Sequence, residues 1–230
     1  MNIGIIADIH GNAAALRAVL AELNKFSCEK IVALGDLAGY YCQINKAAEL
    51  CIENKIVSIK GNHDHYLLSG TGCPRSKTAN LCLEYQKKIM NDTVWKYLNS
   101  FGMVYNNDGF WAVHGGVRDF LDEYTAQFDF SRLPVDNCNI FCTAHSHKQV
   151  MEEKAGIVYF NPGSVGQPRD KDPRAAFAVI CDGIVQLHRV EYDIDEVAND
   201  MRQAGFSARY YENLYSGEAI ATFRPGIDQE

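Results

Sequence analysis

Over the first third of the chain, short apolar runs alternate with stretches of helical periodicity. "IGIIA" at 3–7 has the length and β-branched content of a buried strand. Asn12 then stands as a helix N-cap ahead of Leu16, Val19, Leu20 and Leu23, spaced i, i+3, i+4, i+7. "KIVALGD" at 30–36 predicts a second strand ending in a turn. A helix near 45–54 and a strand in "KIVSIKGN" at 55–62 complete a second βα unit. Such alternation builds a parallel sheet. Residues 77–101 read as one or two helical segments, broken near Asn91-Asp92.

The second half changes period. "GFWAVHGG", "NIFCTAHS", "GIVYFNPGS", "AAFAVICDG" and "IVQLHRVEY" predict short strands with turns between them, Asp182-Gly183 marking a tight hairpin. From Asp193 onward the pattern is helical: Ile194, Val197, Ala198 and Met201 form a stripe, and Asp193 with Glu196 resembles a capping box. No linker, repeat or low-complexity segment interrupts the 230 residues. The expectation is an α/β protein of one domain, 1–230, with two packed sheets, helices outside, and a helical tail over 193–230.

Composition changes this picture little. With 47% hydrophobic and 22% charged residues the chain has an ordinary globular core. No apolar run approaches the roughly 18 residues of a membrane span, and "MNIGIIAD" reads as a strand with no room for a signal peptide. A cytoplasmic location is expected. The eight cysteines form no CxxC pair. Cys51, Cys82, Cys142 and Cys181 sit in apolar stretches and read as small core residues. Cys138 and Cys142 lack a second pair to complete a zinc knuckle. The formal net charge of −7 argues against a nucleic-acid duplex or an acidic membrane as partner. It leaves room for a small anionic substrate, because a bound metal reverses the local field.

Candidate chemistry collects where strands end: Asp8 and His10; Asp36 after Gly35; Asn62, His63 and Asp64 after Gly61; His114 before Gly115-Gly116; and His145 with His147. In open α/β sheets ligands bind at carboxyl strand ends. In "CTAHSHKQV" a period-2 strand would turn both imidazoles to one face; at a bending strand end they would diverge around two ions. Imidazole, carboxylate and amide donors without thiolate suit Mn, Fe, Zn, Co or Ni alike; manganese is the expected metal. Two ions roughly 3.5–4 Å apart can share a carboxylate and a hydroxide, and Asp36 lies between the two ligand groups in sequence. Two divalent ions, two carboxylates and a hydroxide leave about +1, a cationic seat for phosphate in an acidic protein.

The order Asp-x-His, Gly-Asp, Gly-Asn-His-Asp, His-Gly, x-His-x-His resembles the calcineurin-like metallophosphoesterase superfamily over nearly the whole chain. "GDLAGY", "VHGGVRDFLDEY" and "YFNPGSVGQPRDKDPRAAFAVI" are similar to its small bacterial phosphodiesterase branch, related to diadenosine tetraphosphatases. The resemblance implies a four-layer α/β/β/α sandwich of two mixed sheets. It implies Asp8, His10, Asp36 and His147 around one metal, and Asp36, Asn62, His114 and His145 around the other. His63 matches the family's catalytic histidine, with Asp64 either orienting it or serving as a surface turn residue. The activity implied is hydrolysis of a phosphodiester by a metal-bridging hydroxide, His63 protonating the leaving oxygen. Dinucleoside polyphosphates, or a nucleotide or monoester substrate, are the alternatives. A non-catalytic scaffold is the rival, since a retromer subunit keeps this fold without the histidine.

Three departures stand out. Ala144 replaces a glycine, Tyr41-Cys42 replaces a Gly-Pro, and no Arg follows Gly35-Asp36 as in the protein phosphatases. Ser164 and Arg169 in "NPGSVGQPRD" and Arg118 in "GGVRD" are candidate substrate contacts. For Arg169 the alternative is an ion pair with Asp170 or Asp172. Oligomeric state stays open.

Overall fold

The computed structural model describes residues 2–107, 109–125, 127–133 and 138–220. Its first sheet has the order β10-β9-β1-β2-β3. Strands β1 (Asn2–Ile6), β2 (Lys30–Ala33) and β3 (Val57–Ser58) run parallel, while β9 (Ala175–Cys181) and β10 (Ile184–Val190) add an antiparallel edge. The second sheet has the order β4-β5-β6-β8-β7. Here β5 (Phe110–Ala112), β6 (Ile140–Cys142) and β8 (Ile157–Pro162) are parallel, flanked by antiparallel β4 (Tyr105–Asn107) and β7 (Gln149–Lys154). The fold is therefore α/β with two mixed five-stranded sheets and flanking helices.

Period-2 alternation divides the core. Ile3, Ile5, Val32 and Leu34 of the first sheet face Phe110, Ala112, Ile140 and Phe160 of the second, and this apolar layer joins the two. The opposite face of the first sheet, with Ile6, Ala33, Phe177 and Val179, is covered by helices. These include α1 (Ala13–Lys25), α2 (Ile44–Glu53) and α6 (Ile194–Gln203). The outer face of the second sheet presents Trp111, Phe141 and Tyr159 to Phe128 and the segment around it.

Local signals account for several boundaries. Asn12 caps α1 by accepting from Ala15 N. Asn91 caps α5 (Asp92–Asn99), so the 77–101 stretch is two helices, the first being α4 (Lys77–Ile89). Asp193 caps α6 through Glu196 N. The expected tail helix is α6, followed by a 3-10 turn and α7 (Asn213–Ser216); residues 221–230 lie outside the described residues.

Two elements escape the periodicity. "NHDHYLLS" is α3 (Asn62–Ser69), not a polar loop. Its first turn carries Asn62, His63 and Asp64, which are buried for reasons other than hydrophobicity. "CTAHSHKQV" is not a continuous strand. It leaves β6 at Cys142, turns through His145 and His147, and re-enters the sheet as β7 at Gln149. All eight cysteines are free thiols, five of them buried. No helix of the described residues is long and apolar enough to cross a membrane.

Candidate metal centre

The carboxyl ends of β1, β2, β5 and β6 converge, and each delivers its polar cluster to one place. Asp8, His10, Asp36, His145 and His147 all adopt left-handed backbone, with φ between 51° and 63°. Non-glycine residues avoid this region, and such strain persists only where the surroundings impose it. The surroundings do so here through backbone bonds. Asp8 N donates to Gly35 O (3.1 Å), His10 N to Asp36 O (2.9 Å) and Gly166 N to Asp8 O (3.0 Å). Gly166 has to be glycine, since a Cβ there would lie 1.9 Å from the Ile9 carbonyl oxygen.

Two groups of ligand atoms result. Asp8, His10, Asp36 and His147 form one, Asp36, His114 and His145 the other, with the atoms of each within 4.8 Å of one another. Asp36 belongs to both. Its Oδ2 lies 3.7 Å from His10 Nε2 and 3.4 Å from His114 Nε2. The Asn62 amide oxygen joins the second group, 3.0 Å from His114 Nε2. His145 and His147 therefore diverge, as a bend allows and a flat strand would not.

Each ring is aimed from behind. His10 Nδ1 donates to Ala38 O (2.8 Å), His114 Nδ1 to Leu34 O (2.8 Å) and His147 Nδ1 to Gln167 O (2.6 Å). A carbonyl only accepts, so in each ring a proton sits on Nδ1; in neutral His10 and His147 this leaves Nε2 as the ligand atom. Burial lowers His114 but the Asp36 charge outweighs it and raises the ring to about 10, so its Nε2 would give up a proton on taking a cation. His145 rests against Tyr124, with ring centroids 4.1 Å apart.

The donor set fits divalent cations. Both Asp8 carboxylate oxygens, Asp36 Oδ2 and His145 Nε2 are buried without a hydrogen-bond partner among the described residues. Buried carboxylates with no donor are costly unless a cation takes the place of water. The protonation preferences agree. Burial pushes the Asp8 carboxyl up, the state of a carboxylate missing a counter-charge. Burial opposes ionisation of Asp36 too, yet the charge of His114 holds it well below the usual range. Burial lowers His10 and His147 far below ordinary histidine, so both are neutral and ready to ligate.

His63 stands beside these groups. Its backbone N–H donates to Asp36 Oδ1 (2.8 Å), and its Nδ1 has no partner among the described residues. Its ring meets those of His10 and Tyr40, each with centroids 5.0 Å away. Burial lowers its pKa to about 4. A cavity of about 450 Å³ opens over the ligand atoms, with Asp36, Asn62, His63, His145 and His147 in its lining. Tyr40, Tyr124, Arg75 and Arg169 form its walls.

Three expected roles need correction. Asp64 neither orients the His63 ring nor lies at the surface. It is fully buried, and its carboxylate accepts from Asp36 N (2.9 Å), Ala38 N (2.9 Å) and Gly61 N (3.0 Å). Ser164 is buried behind the site, its Oγ donating to Asp8 O (2.8 Å) and accepting from Gln167 N (2.7 Å). Both hold backbone, not substrate. Arg118 is exposed outside the cavity lining, its backbone N–H donating to the Glu123 carboxylate (2.6 Å). Arg169 does line the cavity, and its expected partners are taken: Asp170 pairs with Arg189, and Asp172 with Arg174. Ala144 is accommodated without left-handed backbone, its N–H bonded to His114 O (2.8 Å).

Sequence reasoning missed Gln86, Gln167 and Tyr40. Gln86, fully buried on α4, clamps the 39–41 loop through Gly39 N, Gly39 O and Tyr41 O. Its only signal is a polar residue on the apolar face of a helix.

The chain has relatives of known sequence and structure. A profile of the calcineurin-like phosphoesterase superfamily domain matches residues 1–183. An uncharacterised protein of Methanocaldococcus jannaschii is 30% identical, across 84% of this chain and 88% of its own length. The crystal structure of a metallophosphoesterase from Sphaerobacter thermophilus, 28% identical, superposes with a TM-score of 0.82 over 94% of this chain and 99% of its own. A hypothetical protein from Pyrococcus horikoshii OT3 shares the fold with a TM-score of 0.78 at 19% identity, over 94% of this chain and 98% of its own.

Proposed function

The chain belongs to the calcineurin-like phosphoesterase superfamily, and from that premise we propose that it hydrolyses a small phosphodiester, working with two divalent ions. The observation that carries this reading is the sharing of Asp36 by two ligand groups under one cavity. Asp8, His10, Asp36 and His147 would hold one ion; Asp36, Asn62, His114 and His145 the other. Ions bound there supply an activated water and offset charge on the phosphate.

The protein's own residues do the rest. The carbonyl-tethered imidazoles and the Asp64-clamped loop keep the ligand atoms fixed, so little reorganisation accompanies the reaction. His63 borders the cavity, where its protonated ring would donate to the leaving oxygen. With its pKa lowered to about 4 by burial, it is neutral near pH 7 in the free chain. An anionic phosphate pulls in the other direction, so substrate binding would help load the proton.

The test is turnover by the manganese-loaded chain of bis-nitrophenyl phosphate, nitrophenyl phosphate and dinucleoside polyphosphates, with metal content measured alongside. Two ions per chain and preferred cleavage of the diester are expected. Metal bound without turnover of any of these would favour a scaffold.

A further inference from the structure

Arg169 has three of its five guanidinium N–H groups directed into the protein. Nε and Nη2 donate to Gln167 Oε1 (3.1 and 2.5 Å), and Nη2 also donates to the Tyr40 hydroxyl (3.1 Å). The guanidinium also lies 5.5 Å from the centre of the Tyr40 ring. These partners are neutral. Among the described residues Arg169 makes no ion pair, and its Nη1 makes no hydrogen bond. A cation held by neutral acceptors beside a phosphate-sized cavity keeps its charge available to a ligand. Its backbone N–H is bonded to His147 O (3.1 Å), and it borders the cavity together with His63 and His147.

The support for this guanidinium reaches beyond the family domain. The Gln167 amide must turn its oxygen to Arg169, because a guanidinium only donates. Its Nε2 then donates to the Tyr41 hydroxyl (3.1 Å), which also accepts from Asn213 Nδ2 (3.1 Å). Asn213, in α7, lies past residue 183, where the family match ends. Tyr41 is almost fully buried, at 1% exposure. The C-terminal arm is itself anchored: Asn213 Nδ2 donates to Glu218 O (3.1 Å), and Lys171 N to Gly217 O (2.9 Å). Ala219 and Ile220 then join the cavity wall.

We propose that Arg169 binds the scissile phosphate through its Nη1 edge, and that Asn213 is a positioning residue that aims it through Tyr41 and Gln167. This rests on the phosphoesterase reading. It adds a third cationic contact to the phosphate, set by an arm past the end of the family match.

The experiment is calorimetric binding of inorganic phosphate to the manganese-loaded full chain, for wild type, Arg169→Ala, Arg169→Lys, Asn213→Ala and the Arg169→Ala/Asn213→Ala double variant. Metal content and thermal unfolding are recorded for each. Arg169→Ala should keep its metals and weaken phosphate binding ~10- to 100-fold, the scale of a charge-assisted hydrogen bond. Asn213→Ala should weaken it roughly 3- to 10-fold, and that effect should vanish in the Arg169→Ala background. Arg169→Lys, which keeps charge but not the fork, should fall between and carries the test if the alanine variant does not fold. Unchanged phosphate affinity in the folded Arg169 variants would overturn the proposal. So would an Asn213→Ala effect that persists in full without Arg169. Wild type that binds phosphate yet cleaves no ester would sink the phosphoesterase reading and leave the clamp to stand on the titration. Wild type that binds no phosphate would sink the clamp.

Discussion

The Nε2 atoms of His10 and His147 lie 3.1 Å apart, with each ring's Nδ1 already donating to a backbone carbonyl. Burial keeps both rings neutral, so two lone pairs face each other at hydrogen-bond distance with no proton between them. A cation bonded to both nitrogens relieves that repulsion. His147→Ala should therefore release the ion shared with Asp8 and His10. His145→Ala should release the one shared with Asn62 and His114. Metal analysis and spectroscopy of the cobalt-substituted variants distinguish the two; loss of the same ion from both would contradict the division of ligands.

Asp8 offers a test that needs no substrate. Burial raises its carboxyl from 3.8 to about 8, with the His114 charge opposing and the Asp36 charge adding. A carboxyl raised in the folded state favours folding while protonated. Its contribution is full below 3.8 and is lost as pH rises through about 8. Metal-depleted protein should thus lose thermal stability across that window. Asp8→Asn should flatten the decline, while lowering the melting temperature of the metal-loaded protein. An identical pH slope in wild type and variant, both metal-free, would remove Asp8 from the centre.

Asp64 differs in kind. Its carboxylate satisfies three buried backbone N–H groups, on Asp36, Ala38 and Gly61, and so fixes the β2 loop against the start of α3. Asp64→Ala strands those donors, at about 1–3 kcal/mol for each unsatisfied group. A loss of about 3 kcal/mol or more in denaturant unfolding is expected, with activity falling because Asp36 and His63 are displaced. Full stability and metal content with activity abolished would instead give Asp64 a direct part in the chemistry.

The histidines and carboxylates of the centre were legible because each follows an apolar strand, and strand ends are where such sheets bind ligands. The place of Asp36 in both groups of ligand atoms follows its position between the two halves of the motif order. That the polar cluster after Gly61 opens a helix was not legible. Asn62, His63 and Asp64 are polar, and their burial comes from ligand geometry and backbone donors that no periodicity records. Ser164 and Arg118 misled for opposite reasons. A serine in a Gly-Pro-rich turn is as able to hold backbone as substrate, and an arginine near a motif histidine lies outside the cavity here. The relay from Asn213 to Arg169 joins residues far apart in the chain, through a tyrosine and a glutamine of no distinctive spacing.

His63 separates an enzyme from a scaffold. Its backbone N–H is anchored on Asp36 Oδ1, so the ring is carried beside the centre while Nδ1 stays unengaged. Protonated, it would donate to the oxygen leaving phosphorus, a form of catalysis worth ~10²–10⁴-fold. How much is needed depends on the leaving group. A nitrophenolate departs unaided, whereas a ribose or alkyl alkoxide departs as a strong base. His63→Ala should keep both metals, lose little kcat/KM with a nitrophenyl ester, and lose far more with an alkyl or nucleoside ester. The readout is the ratio of wild-type to variant kcat/KM for the two ester types, at one pH and full metal occupancy. Equal losses for both, with chemistry limiting the rate, would argue that His63 binds the phosphate and stabilises its developing charge instead of protonating the leaving group.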